Sequence, residues 1–127
     1  MTNDPIDTRL RSYYETLRAG EPLAPFFADR PEVVKFGISE RLTGGSAVAT
    51  GLREQTATTT DWEIDSRRLI TGREGDTGWF SDDVGMAWMN TETGDRHAFD
   101  SRWSGTLIPI DGEWRFVGMH VSVAHEL

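Results

Sequence analysis

The sequence predicts a single α+β domain in which N-terminal helices cover one face of a curved antiparallel sheet. Three observations predict it: helical periodicity is confined to the N-terminal part, segments of strand composition follow from Trp62 onward, and turn-forming residues separate those segments. A chain of 127 residues has room for one core and no second.

The first helix is announced by Asp4-Pro5, an N-cap residue followed by proline at the first helical position, where its missing N–H costs nothing. Ile6, Leu10, Tyr13, Tyr14 and Leu17 then recur at helical spacing until Ala19-Gly20. The stretch EPLAPFFADRPE holds three prolines, so it allows a helical turn or two that packs Phe26 and Phe27 into the core. Residues 33–38 are short, β-branched and aromatic, and read as a strand before the glycine-bearing loop SERLTGGSAVATG. Residues 52–60 are weakly helical, with four threonines set against that reading.

Four strand segments follow: WEIDSRRLI, TGWFSDDVGMAWM, HAFDSRWSGTLIPI and EWRFVGMHVSV. Their separators TGREGD, NTETGDR and DG are hairpin material. Asp111-Gly112 demands a type I′ turn and so sets a register. Pairing Ile110 with Glu113 puts Pro109 opposite Trp114, Leu107 opposite Phe116, Gly105 opposite Gly118, Trp103 opposite His120 and Ser101 opposite Ser122, all on one face. The other face then carries Val117, Met119, Val121 and Val123, a stripe that predicts a homodimer through the outer sheet. A β-bulge in either strand would exchange part of the two faces.

The net charge is −8 and the pI about 4.8, which argues against nucleic acid and anionic membrane surfaces as partners. Only Lys35 among the thirteen basic residues is lysine. An acidic, arginine-rich surface fits a salt-adapted organism or, equally, the coding bias of a GC-rich genome; stability that fails to rise in molar KCl excludes the former. With no cysteine, disulfides and zinc thiolates are excluded. No apolar run reaches membrane-spanning length and no signal-peptide pattern opens the chain, so a cytoplasmic location is expected.

The stretches GDTGWFSDDV and RWSGTLIPIDGEWRFVGMHVSV resemble the SnoaL-like branch of the nuclear transport factor 2 superfold, from about Asp76 to Val123. The matching positions are Gly75, Asp76, Gly78, Trp79, Arg102, Ser104, Gly105, Asp111, Gly112, Trp114, Arg115, His120 and Ser122; Gly118 departs from the polar residue many relatives carry there. The resemblance implies a cone-shaped half-open barrel closed by the N-terminal helices, with a ligand cavity inside and dimerisation through the outer sheet. That superfold holds isomerases, cyclases and dehydratases as well as association domains without chemistry, so fold alone does not choose.

Within this frame His120 is the candidate acid or base, because imidazole changes charge near neutrality. Asp82, Asp83 and Asp100 are possible orienting carboxylates, and strand parity with Trp79 favours Asp83. Trp79, Trp88, Trp103, Ser101, Ser122 and Tyr14 are the candidate cavity walls and polar contacts for a small apolar or carbonyl-bearing ligand. The alternative is that His120 is a core histidine satisfied by Ser101, Ser122 or Tyr14, the acids are solvated, and the protein is a non-catalytic homodimeric ligand-binding or association module. Arg102 is expected on the outer face, and His97 and His125 are expected in solvent. No H-x-H or H-E-x-x-H spacing, dinucleotide fingerprint, phosphate loop or G-x-S-x-G setting is present, so metal, cofactor and serine-nucleophile chemistry are not expected.

Overall fold

The computed structural model describes residues 5–127. The element order is α1 (Ile6–Ala19), a 3-10 turn (Ala24–Phe26), β1 (Val34–Phe36), β2 (Arg41–Thr43), α2 (Gly45–Thr58), β3 (Thr59–Ser66), β4 (Ile70–Glu74), β5 (Thr77–Asn90), β6 (Arg96–Ile110) and β7 (Glu113–Val123). All five residues of the predicted α1 stripe are buried, and Gly20 closes the helix in the left-handed region at φ 70°. Pro5 is the N-cap rather than the first helical residue, and the expected capping residue Asp4 lies outside the described residues.

Helix α2 begins at Gly45, within the segment expected to be a loop, and the chain is already extended by Thr59. Only Val48 and Leu52 of this helix are buried, so its apolar stripe is too thin to register as a period. Gly51 is a packing residue: a Cβ there would sit 2.6 Å from Leu42 Cδ1. The separator TGREGD holds β4 from its second residue onward, and β4 pairs with β5 around a turn at Gly75.

The sheet runs β2-β1-β7-β6-β5-β3, with β4 also on β5. It is mixed rather than wholly antiparallel, because β1 lies parallel to β7. The helices cover its inner face, where Leu10, Tyr13, Tyr14, Phe80, Leu107, Trp114 and Phe116 form the centre of the core. No helix among the described residues is long and apolar enough to cross a membrane.

The β6–β7 hairpin turns as expected, with φ 52° at Asp111 and 79° at Gly112. Its register runs from Ile110↔Glu113 to Leu107↔Phe116 and then shifts, so that Thr106 pairs with Gly118 and Val117 is the extra residue of a β-bulge. Beyond it Gly105 faces Met119, Ser104 faces His120, Trp103 faces Val121 and Ser101 faces Val123. This corrects the continuous register expected from the turn. Since side chains alternate at a period of two, one inserted residue sends Met119 and Val121 inward and His120 and Ser122 outward. Met119 and Val121 are 2% and 6% exposed, so the outer apolar stripe expected from them does not exist.

Candidate functional site

Four of the expected site residues lie outside the cone. His120 is exposed and meets Phe36 edge to face, with centroids 5.8 Å apart. Asp83 is exposed opposite Arg102, and Ser122 pairs with Arg102 from the other side. Trp79 is 45% exposed on the same face, while its neighbours Gly78 and Phe80 are buried. The proposed pairing of His120 with Asp83 inside the cavity is therefore corrected: both sit on the outer wall. They line a groove there with Ser81, Arg102, Ser104 and Ser122. The outward position expected for Arg102 agrees with the structure.

Tyr14, Trp88, Ser101 and Trp103 face the interior. Asp82, not Asp83, shares that face with Phe80 and Val84 and is only 3% exposed. Its carboxylate accepts from the Tyr14 hydroxyl at 2.9 Å, the Ser66 hydroxyl at 2.6 Å and the Arg68 backbone N–H at 2.9 Å. Beside it the Trp103 indole donates to Ser101 Oγ at 3.0 Å, and that hydroxyl donates to the Val84 carbonyl at 2.7 Å. Tyr14 stands edge-on to Trp103 at 5.5 Å. Burial, and after it the charge of Asp82 and the hydrogen bond to it, push the Tyr14 phenol far above its ordinary pKa.

On the other side of Trp103 lies a cavity of about 440 Å³, opening between the β1–β2 hairpin and the C-terminal half of α2. Its walls are mostly aromatic and aliphatic: Tyr13, Leu17, Trp103, Met119 and Val121 toward the core, Trp62 and Trp88 toward one side. Trp62 and Trp88 stack at 4.8 Å, and His97 continues the stack on Trp88 at 5.2 Å. His97 is thus half-buried in an aromatic ladder, not solvated at a loop edge as expected.

Ser39, Glu54, Gln55, Thr58 and Thr59 also line it, and one ion pair enters its walls. Lys35 is 5% exposed because the alternation of β1 turns it inward between Val34 and Phe36, beside Met119 and Leu42. Its ammonium is paired with Glu40, from the β1–β2 connection, and both line the cavity. Burial, then the charge of Glu40, raises the pKa of Tyr13 well above the tyrosine range. An ammonium has three donors, so one spent on Glu40 leaves others for a ligand oxygen, and the carboxylate keeps acceptor capacity for a proton. Among the described residues no three histidine or carboxylate side chains gather as a metal ion would require.

Sequence reasoning missed Lys35, Glu40, Tyr13 and Trp62 as cavity residues. A usable signal was the chain's single lysine sitting mid-strand between Val34 and Phe36, where alternation forces it to one face.

A half-open α+β cone with helices over its inner face and a mainly apolar cavity defines the architecture of small-ligand-binding barrels. A family model described as the SnoaL-like domain matches residues 6–126, and the chain belongs to that family. No curated protein matches it. Solved structures are similar across nearly the whole length. One is a nuclear transport factor 2-like superfamily protein from Salmonella enterica serovar Typhimurium, 17% identical, with TM-score 0.82, covering 95% of this chain and 89% of that one. Another is a candidate dehydratase from the NTF2-like family of Streptomyces avermitilis, 14% identical, with TM-score 0.81, covering 94% and 93%. A third is a candidate calcium/calmodulin-dependent protein kinase II association domain from Xanthomonas campestris, 13% identical, with TM-score 0.77, covering 96% and 87%. At such identities the likeness concerns the fold.

Proposed function

We propose that the chain is a small-ligand-binding barrel whose cavity takes up an apolar, carbonyl-bearing molecule and transfers a proton on it without a cofactor, as in isomerisation, cyclisation or dehydration. In this reading Lys35 holds the carbonyl oxygen, Glu40 removes the adjacent proton, and Trp103, Tyr13, Trp62 and Trp88 shape the walls. The observation that carries it is the Lys35–Glu40 pair set into a mainly apolar cavity of about 440 Å³, a size that suits a small organic ligand. Burying an ammonium is costly even when it is paired, so Lys35 at 5% exposure in a ligand-sized cavity is an argument for use. Negative charge developing on a carbonyl oxygen is stabilised best by a donor already fixed in a low-dielectric site. A likeness in fold to a candidate dehydratase is consistent with this chemistry.

Titration with apolar ketones and enones, followed by tryptophan fluorescence, tests the reading. Binding should be saturable in the native protein and weakened in Lys35→Met and Glu40→Gln. Equal affinity in all three proteins would refute the assignment.

A second reading is favoured by the outer face, where Trp79 at 45% and Ile70 at 50% leave apolar surface in solvent. In it the chain is a homodimeric association module that uses this face, with Asp83, Arg102 and His120 as its polar rim. Sedimentation of the native chain against Trp79→Asp tests it: a monomer in both removes the dimer.

A further inference from the structure

We infer that Lys35 activates its ligand covalently, its amine condensing with the carbonyl carbon to form an iminium ion inside the cavity. The inference rests on the reading above and names how the same site acts. The chain uses arginine at every basic position but one, and that one is the buried cavity residue. A fixed positive charge, or a fork of donors for a carboxylate, is supplied as well or better by arginine. What lysine alone adds is an amine that can give up its proton and act as a nucleophile.

The surroundings supply the other requirements. Glu40 is in contact with Nζ and is positioned to take the proton the amine must shed. Its side chain is 33% exposed, so it reaches from the interior to the cavity mouth, where protons exchange with solvent. Lys35 is only 5% exposed and shares the cavity with Trp103, Tyr13 and Met119, apolar walls that limit the water reaching the product and so slow its hydrolysis.

The step balances without an added oxidant or reductant. Glu40 takes a proton from the ammonium, and the free amine attacks the carbonyl carbon. The C=O π pair moves to oxygen, which receives a proton from Glu40, while the nitrogen returns one to the carboxylate, giving a neutral carbinolamine. Glu40 then protonates the hydroxyl, water departs, and the nitrogen lone pair closes the C=N bond. The product is an iminium cation beside the Glu40 carboxylate, the charge pattern of the starting pair. Its positive nitrogen acidifies the neighbouring C–H, which the same carboxylate can deprotonate.

Trapping tests this directly, because Lys35 is the only side-chain amine in the chain. The native protein is incubated with 2-naphthaldehyde and sodium cyanoborohydride at neutral pH and mapped by peptide mass spectrometry, while tryptophan quenching reports non-covalent binding. The expected result is a reduced adduct at Lys35 forming much faster than the adduct at the N-terminal amine, and much faster than at Lys35 in the urea-unfolded chain. Glu40→Gln should slow trapping on the order of 100-fold, the scale of lost general acid–base assistance. Lys35→Arg removes the amine and should yield only the N-terminal adduct. Quenching without preferential labelling of Lys35, or equal labelling in the folded and unfolded chain, overturns covalent activation and leaves the ligand-binding reading standing. Neither quenching nor labelling overturns both.

Discussion

The Tyr14 hydroxyl donates to the Asp82 carboxylate across 2.9 Å, joining α1 to β5 at a point where both residues are almost wholly buried. Three donors, two hydroxyls and a backbone N–H, reach the Asp82 carboxylate, so each carries a share of what water would supply to it. Tyr14→Phe removes one donor and leaves the acceptor in place. Its expected cost is about 1–3 kcal/mol, read from the urea midpoint at neutral pH. A change under a few tenths of a kcal/mol would mean that the hydrogen bond contributes little.

Alkaline pH should weaken the fold through the same helix. Burial raises both phenols, aided by Asp82 at Tyr14 and by Glu40 at Tyr13. The unfolded chain releases these protons above about pH 10 while the folded chain retains them, so above that pH the unfolded state binds fewer protons and stability falls. The stabilisation is intact below about pH 10 and is lost above it, at about 1.4 kcal/mol per pH unit for each phenol. Urea midpoints between pH 8 and 11.5 should bend downward, and the bend should be shallower in Tyr14→Phe. A native profile no steeper than that of the variant would contradict the assignment.

What was legible in the sequence follows from local rules. The stripe from Ile6 to Leu17 placed α1, and Asp111-Gly112 placed the last hairpin with its first pairs intact. What was not legible depends on contacts between distant segments. Nothing in Phe116-Val117-Gly118-Met119 demands an extra residue on its own; the bulge satisfies the sheet's curvature and the parallel approach of Val34 to Gly118. Yet that one residue decides whether His120 or Val121 faces the cavity. The parity choice at β5 failed similarly: grouping by tryptophan picked Asp83, whereas the buried neighbours Phe80 and Val84 define the face that carries Asp82. The cavity pair was hidden because β1 is three residues long, too short for alternation to stand out.

Two glycines at the bulge should respond oppositely to alanine. A Cβ on Gly105 would lie 2.3 Å from the Gly118 carbonyl oxygen and 2.8 Å from Phe80 Cε1, and backbone cannot swing aside as a side chain can. Gly105→Ala is expected to cost about 1–3 kcal/mol through overpacking. At Gly118 the nearest atom is Val34 Cγ2 at 3.9 Å, ordinary contact, so Gly118→Ala should fall within about 0.5 kcal/mol of native. Urea unfolding of the two variants checks the contrast, and equal costs would place the strain elsewhere.

The inside–outside assignment of β7 can be read from two further variants. Val121 is 6% exposed on the inner face, so Val121→Asp takes a carboxylate out of water among apolar side chains and should cost about 3–5 kcal/mol, enough to unfold a marginal domain. His120 is exposed and touches Phe36 at the surface; His120→Ala should therefore leave stability within about 0.5 kcal/mol of native and ligand affinity unchanged. A hairpin without the bulge predicts the opposite order, because it would bury His120 and expose Val121. Thermal melting of both variants, with ligand titration of His120→Ala, separates the two geometries. A collapsed melting temperature in His120→Ala beside a native one in Val121→Asp would restore the imidazole to the interior and displace Lys35 from the centre of the site.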